Sequence, residues 1–189
     1  MIVQLLARNA KNAQSLGKKI MNVAQLVCKL NLQSRVESAL AANGKSGLPA
    51  RAAALPVHRS HALKRLGSYV ARGEEPVAIR LQFAVEEEVL IDTFLHELAH
   101  CLDHLLNQPG KRYRSAHGRG WKHWAESFGI DPVRCGESAT LKRLHAERLK
   151  VVAVCKRCGF ELKRLKRLPR NRRYLHPKCG GRLVPVREC

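Results

Sequence analysis

The chain has 189 residues, with 35 Lys and Arg against 15 Asp and Glu and a formal charge of +20, and its isoelectric point lies near 10.4. That length provides one modest core with a small appendage and excludes a large multidomain enzyme. No apolar run is long enough to span a bilayer, and the charge points to nucleic acid rather than to a neutral or membrane partner.

Met1 to about Asn43 reads as helical, with Leu5, Leu6, Leu16, Ile20, Val23, Leu26, Val27 and Leu30 as its apolar positions, recurring at spacings of three and four in the second half. No acid occurs from Met1 to Val36, a trait shared with organelle-targeting peptides, whereas Ile2 to Ala7 is too short for the apolar region of a secretion signal. The expected compartment is a bacterial cytoplasm, near the nucleoid. Ala41 to Pro49 carries Gly44, Ser46 and Gly47 and reads as a linker. Residues 1–47 are thus expected to be a helical segment and linker, with packing as the first expectation for its role, ahead of a dimer contact or another basic nucleic-acid surface.

From Leu55 the pattern changes to strands. Pro56 to Ala62 and Leu66 to Arg72 can form two, and Val77, Ile79, Leu81, Phe83 and Val85 alternate as a third. Glu86 to Leu106 then reads as one amphipathic helix, with acids in its first turns that suit the helix dipole and Asn107, Pro109 and Gly110 to stop it. A second helix is expected from Trp121 to Phe128, where Trp121, Trp124 and Phe128 pack at helical spacing, and a third from Thr140 to Lys150.

The long helix carries His96-Glu97-Leu98-Ala99-His100. Histidines at i and i+4 share one face and can bind a single zinc, with Glu97 beside the metal without ligating it. A buried helix would desolvate both imidazoles, which is costly unless something uses them. A hydrolytic zinc lowers the pKa of its bound water to about 7, and an adjacent carboxylate takes the proton as the water attacks a carbonyl. The leading expectation is a metalloprotease.

A third protein ligand must come from further along the chain. A Gly at 103 and a His at 106 would be the metzincin pattern, but Asp103 and Leu106 stand there. Glu126 on the following helix is one candidate, with His123 beside it. His117 is another, in Ser115-Ala116-His117-Gly118-Arg119-Gly120-Trp121, where Gly118 and Gly120 let the backbone turn tightly. His104, one turn beyond His100, reads as a packing residue or a group behind the ligands. Arg112, Tyr113 and Arg114 lie within reach of a cleft but are expected to face solvent.

Near the C-terminus Cys155-x-x-Cys158-Gly159 is followed by His176-x-x-Cys179-Gly180. Two such halves, each with a glycine after its second ligand, predict a structural zinc site of three Cys and one His. Cys189 is a competitor for the fourth place. From Val151 to Cys189 there are twelve Lys and Arg against two acids, half of the total charge, whereas Leu81 to Gly110 contains no Lys or Arg. This segregation assigns nucleic-acid contact to one module and chemistry to another. The expected contacts are Lys156, Arg157, Lys163, Arg164, Lys166, Arg167, Arg170, Arg172 and Arg173. Phe160 and Tyr174 either stack on exposed bases or fill the small core, with equal weight.

His96-Glu97-x-x-His100, a polar loop and His117-Gly118-x-x-Trp121 together resemble the SprT family, which includes the Spartan DNA-dependent proteases, and the C-terminal zinc ribbon matches as well. The resemblance implies that His117 is the third ligand. It also implies that a strand before the metal helix lies along the cleft for substrate to extend, and that nucleic acid controls the activity. The expected architecture is α+β: a small zincin-type core over residues 48–150, with a short antiparallel or mixed sheet and an active-site helix, then a basic zinc ribbon over 151–189. One catalytic and one structural zinc, DNA and protein substrates follow from this reading. A reading of another class keeps every ligand without turnover, as a zinc-stabilised nucleic-acid-binding or regulatory protein with a vestigial H-E-x-x-H site.

Overall fold

The computed structural model describes residues 21–114, 116–132 and 136–186. The chain is mixed α and β and divides into two compact units, Met1–Leu141 and Lys142–Cys189. Leu5, Leu6, Leu16, Ile20 and Cys189 lie outside the described residues.

The first unit opens with a short strand, β1 (Met21–Asn22), and two helices, α1 (Val23–Lys29) and α2 (Gln33–Ala42). Periodicity alone suggests one continuous helix here. Asn31 instead takes a left-handed φ of 54°, which breaks the helix and lets the two pieces fold against one core. Asn22 caps α1 by accepting from the Gln25 N–H at 2.8 Å, and the Gln25 side chain returns the bond to the Asn22 N–H at 3.0 Å. After a turn of helix, α3 (Ala50–Ala53), come β2 (Pro56–Arg59), β3 (Gly67–Arg72) and β4 (Glu75–Leu81).

The four strands form one mixed sheet in the order β1-β2-β4-β3, with β2 parallel to β4 and the other pairs antiparallel. β3 and β4 are joined by a two-residue turn in which Gly73 has φ 63° and Glu74 is not left-handed, the arrangement of a type II′ hairpin. β4 is shorter than its alternation suggests. After Leu81 the Gln82 side chain turns back, donating to the Ala62 carbonyl at 2.9 Å and accepting from the Ala84 N–H at 3.1 Å. Phe83 and Val85 are left outside the ladder.

The long helix α4 (Glu87–Leu102) buries Phe94, Leu95, Leu98, Ala99 and Leu102 in a core shared with Val57, Ile79 and Leu81 of the sheet. Burying each of the Phe and Leu side chains contributes about 1.5–3 kcal/mol, so this contact fixes the helix on the sheet. Beyond Leu102 the helix widens into one π turn, Asp103–Asn107. The uniform helix to Leu106 expected from the sequence is thus interrupted where two buried polar residues, Asp103 and His104, need partners. α5 (Arg119–Ser127) completes the core with Trp121, Trp124 and Ala125, followed by Phe128, against Val36 and Leu40 of α2. The last helix, α6 (Ala139–Glu147), ends three residues before the strand that starts at Lys150.

The second unit is a three-stranded antiparallel sheet of β5 (Lys150–Cys155), β6 (Glu161–Arg164) and β7 (Leu183–Pro185), in the order β6-β5-β7. Its core is small: Val152, Ala153, Cys155, Leu168 and Leu183, with Leu162, Tyr174 and Cys179 packed on it. Among the described residues no helix is long and apolar enough to cross a membrane.

Candidate metal centre

His96 and His100 lie one turn apart on α4, and their Nε2 atoms are 3.2 Å from each other. His117, in the loop before α5, brings its Nε2 to 3.1 Å from that of His96. Both distances match the edge of a tetrahedron with Zn–N bonds of about 2.0–2.1 Å, which is about 3.3 Å long, and the donor atoms of all three rings lie within 4.8 Å of one another. Burial, followed by the neighbouring imidazoles, holds His96 down to about 4 and His100 down to about 3, so both present neutral lone pairs at neutral pH. The donor set and its spacing therefore fit a zinc ion. Glu126 is exposed and outside this group, and so is His123, which bonds to the Asn43 side-chain oxygen.

The backbone that delivers His117 is unusual. His117 itself adopts φ 67°, whereas Gly118 sits at φ −73° as the N-cap of α5. The tight turn is thus taken by the histidine, at a conformational cost of about 1–2 kcal/mol. Gly120 serves space rather than flexibility: a Cβ there would lie 1.9 Å from Asp103 Oδ1 and 2.6 Å from Asn107 Nδ2.

Glu97 is 6 % exposed. Its Oε2 accepts the Tyr69 backbone N–H at 2.5 Å, and a Cβ on Gly67 would stand 3.0 Å from its Oε1. Burial drives the Glu97 carboxyl up to about 7, opposed by the Tyr69 N–H and the Arg65 charge. An acid with that pKa takes and returns a proton near neutrality. The holder of Glu97 is β3, an edge strand of the sheet. The strand nearest the metal helix in sequence, β4, is central, so the strand along the cleft is one hairpin earlier than adjacency in sequence suggests. The cleft, about 490 Å³, runs past Gly67, Tyr69 and Gly73 on one side and Arg112 and Tyr113 on another.

Around the imidazoles lies a set of polar contacts that the sequence motifs do not name. His100 Nδ1 is 2.7 Å from the Tyr113 hydroxyl, so Tyr113 faces a candidate ligand rather than solvent. Burial, and then the Asp103 charge, push the Tyr113 phenol far up, keeping it neutral. His104 is 1 % exposed. Its Nε2 lies 2.9 Å from the Lys111 carbonyl and its Nδ1 2.7 Å from the Tyr69 hydroxyl. A carbonyl only accepts, so Nε2–H donates to Lys111 and the Tyr69 hydroxyl donates to Nδ1. The Trp121 indole N–H reaches the His96 carbonyl at 3.3 Å, and its ring stacks on His100 at 5.3 Å. The signal for Asp103 and His104 was in the sequence: they follow His96 by seven and eight residues, polar positions on an apolar helical face.

The second unit gathers Cys155, Cys158, His176 and Cys179. Cys155 Sγ and Cys179 Sγ are 3.5 Å apart, and His176 Nδ1 is 3.2 Å from both Cys158 Sγ and Cys179 Sγ. These sulfurs are too far apart for a disulfide of about 2.05 Å and close to the edge of a zinc tetrahedron. Gly159 and Gly180 take φ 71° and 68° directly after Cys158 and Cys179. Burial opposes ionisation of Cys155, but the backbone N–H groups of Cys158 and Arg157 and the adjacent thiols outweigh it and bring the thiol down to about 7.

Lys156, Arg157, Lys163, Arg164, Lys166, Arg167, Arg170, Arg172 and Arg173 are all exposed, with Arg157 donating to the Cys179 carbonyl at 2.6 Å. The two aromatic residues divide. Tyr174 packs on the core, while Phe160 is 44 % exposed and lies flat on the His176 ring at 4.3 Å and 3°.

The model of the SprT-like family matches residues 50–140, a stretch that contains His96, Glu97, His100 and His117. That stretch is SprT-like. No curated protein and no solved structure matches the chain. The family is associated with metalloprotease-like proteins, and the SprT-like segment holds all three imidazoles of the first centre, while the four candidate ligands of the second lie beyond it.

Proposed function

We propose that this protein is a zinc-dependent protease with a zincin-type core that cleaves proteins bound or crosslinked to DNA. The observation that carries the reading is the meeting of three Nε2 atoms beside a buried carboxylate. A zinc ion held by His96, His100 and His117 would supply an acidified water and polarise the scissile carbonyl. Glu97, with Oε2 occupied by the Tyr69 N–H, would take a proton on Oε1 as general base and return it to the leaving amine. The edge of β3 gives an extended substrate main-chain partners, recognition that reads backbone more than side chain. A protease with so little sequence preference needs another control, and the basic second unit supplies one by docking on DNA through its exposed Lys and Arg. There Cys155, Cys158, His176 and Cys179 hold a structural zinc.

The test combines metal content with cleavage. Purified protein should carry about two zinc ions per chain, and the wild type should cleave a DNA-bound protein while Glu97→Gln, with the same zinc content, loses about 10²–10⁴-fold in rate. Equal cleavage by the two would assign the activity to a contaminant and withdraw the proposal. Affinity for DNA should fall steeply between low and moderate salt, as a charge-driven contact must.

A further inference from the structure

The polar contacts behind the imidazoles converge on the loop that leads to His117. Gln108 grips this loop at two points: its Oε1 accepts the Arg114 N–H and its Nε2 donates to the Arg114 carbonyl, both at 3.1 Å. His104 holds Lys111 of the same loop through the 2.9 Å bond to its carbonyl. Between these anchors stands Tyr113, whose hydroxyl is 2.7 Å from His100 Nδ1. One short segment is therefore fastened to the π turn through His104, to the residue that ends that turn through Gln108, and to a candidate ligand between them.

A neutral imidazole divides between two tautomers, and only the one protonated on Nδ1 presents an Nε2 lone pair. His100 turns Nε2 towards His96 Nε2 at 3.2 Å, the place where the three rings meet; with that lone pair given to an ion, Nδ1 would carry the proton and donate it to the Tyr113 oxygen. We propose that Tyr113 is a positioning residue of the metal centre: its hydroxyl fixes the tautomer and ring plane of His100, and its place in the gripped loop couples that ligand to the placement of His117. This rests on the reading of the three histidines as a zinc site, and it adds what makes that site hold its metal. Partners of this kind behind metal-bound histidines change metal affinity by about 10–100-fold.

The test reads zinc binding, not turnover. Wild type, Tyr113→Phe and Gln108→Ala are stripped of metal and titrated with zinc against a chromophoric chelator, with circular dichroism as the control for fold. Tyr113→Phe should weaken the first centre by about 10–100-fold while leaving the second unchanged. Gln108→Ala should weaken the first centre less and leave the His100 tautomer unaltered. In ¹⁵N-histidine spectra of the zinc-loaded wild type, His100 should be metal-bound through Nε2 and keep an Nδ1 proton that exchanges slowly with water, a signal that Tyr113→Phe removes or shifts. Zinc affinity in Tyr113→Phe equal to the wild type overturns the inference and leaves the proposed function standing. If Tyr113→Phe fails to fold, the wild-type spectrum decides: metal on Nδ1, or a freely exchanging Nδ1 proton, overturns it. A wild type that binds no zinc at the three histidines sinks the proposed function itself, an outcome distinct from the others.

Discussion

The two candidate metal centres are built on opposite physical plans. In the first unit three imidazoles are supplied by a helix and a loop 17 residues apart, counted from His100 to His117, and burial is what holds the two on the helix neutral. In the second, four donors sit on two tight turns, and backbone N–H groups draw the Cys155 thiol towards the thiolate. Three donors beside a cleft would leave a tetrahedral ion one open position, whereas four donors would close its coordination. The first centre also rests on a large core that exists without it, containing Phe94, Leu98, Trp121 and Phe128, while among the described residues the core of the second unit has five buried members, one of them the candidate ligand Cys155. Metal is therefore expected to be a reagent in one and a structural member in the other.

The largest effect should come from attacking that contrast directly. Structural zinc supplies about 10–16 kcal/mol of apparent folding free energy in small domains, and so small a core has nothing to replace it. Cys158→Ser should unfold residues 142–186 and lower the zinc content from two to one. His96→Ala should also remove one zinc yet leave the first unit folded, apart from the cost of a cavity. Amide spectra of the two variants, each compared with the wild type, check both statements, and a ribbon that stays ordered in Cys158→Ser would erase the distinction.

A second difference lies in how the metal-free first unit answers pH. His96 and His100 have folded values of about 4 and 3, below the ordinary 6.5. Their contribution to stability is present above 6.5 and is lost as pH falls towards those values. Glu97 is shifted the other way, from 4.5 to about 7. Its contribution is present below 4.5 and is lost as pH rises through 7, a change on the order of 3 kcal/mol. Thermal melts of chelator-treated wild type should thus show stability declining from pH 5 to pH 8 relative to Glu97→Gln, which lacks the titrating group. Parallel curves for the two proteins would mean that Glu97 is not held in a desolvated site.

Much of this contrast was legible in the residues, because ligand spacing is a local property. Residues four apart on a helix, or two apart around a turn with a following glycine, carry their geometry wherever the chain goes. The resemblance implied His117, and the structure brings its Nε2 to the other two. What stayed hidden is set by distant pairing. Nothing within residues 67–85 states that β4 takes the middle of the sheet, which requires β2 to add in parallel on its far side. Tyr69 could not be linked to Glu97, or Tyr113 to His100, because those contacts exist only after the sheet and helix have met. The break at Asn31 was missed for a related reason: the apolar spacing continues across it, and the decision rests on one left-handed residue.

The smallest effects, and the finest comparison, come from one glycine at each centre. A Cβ on Gly181 would stand 2.6 Å from Cys155 Sγ and 3.2 Å from Cys179 Sγ, striking the candidate ligands themselves. On Gly120 it would strike Asp103 and Asn107, side chains that are not ligands. Each alanine replacement forces a shift costing about 1–3 kcal/mol, but the cost should appear in different places. Gly181→Ala should lower zinc affinity and unit stability together, because ligand geometry and fold are one property there. Gly120→Ala should lower the melting temperature of the metal-free first unit, since Asp103 is 3 % exposed and must move within the core, and should touch zinc affinity only as far as α5 carries His117 with it. Parallel zinc titrations and melts of both variants separate the two cases. Equal losses of affinity at both centres would show that the first site depends on its metal as fully as the second does.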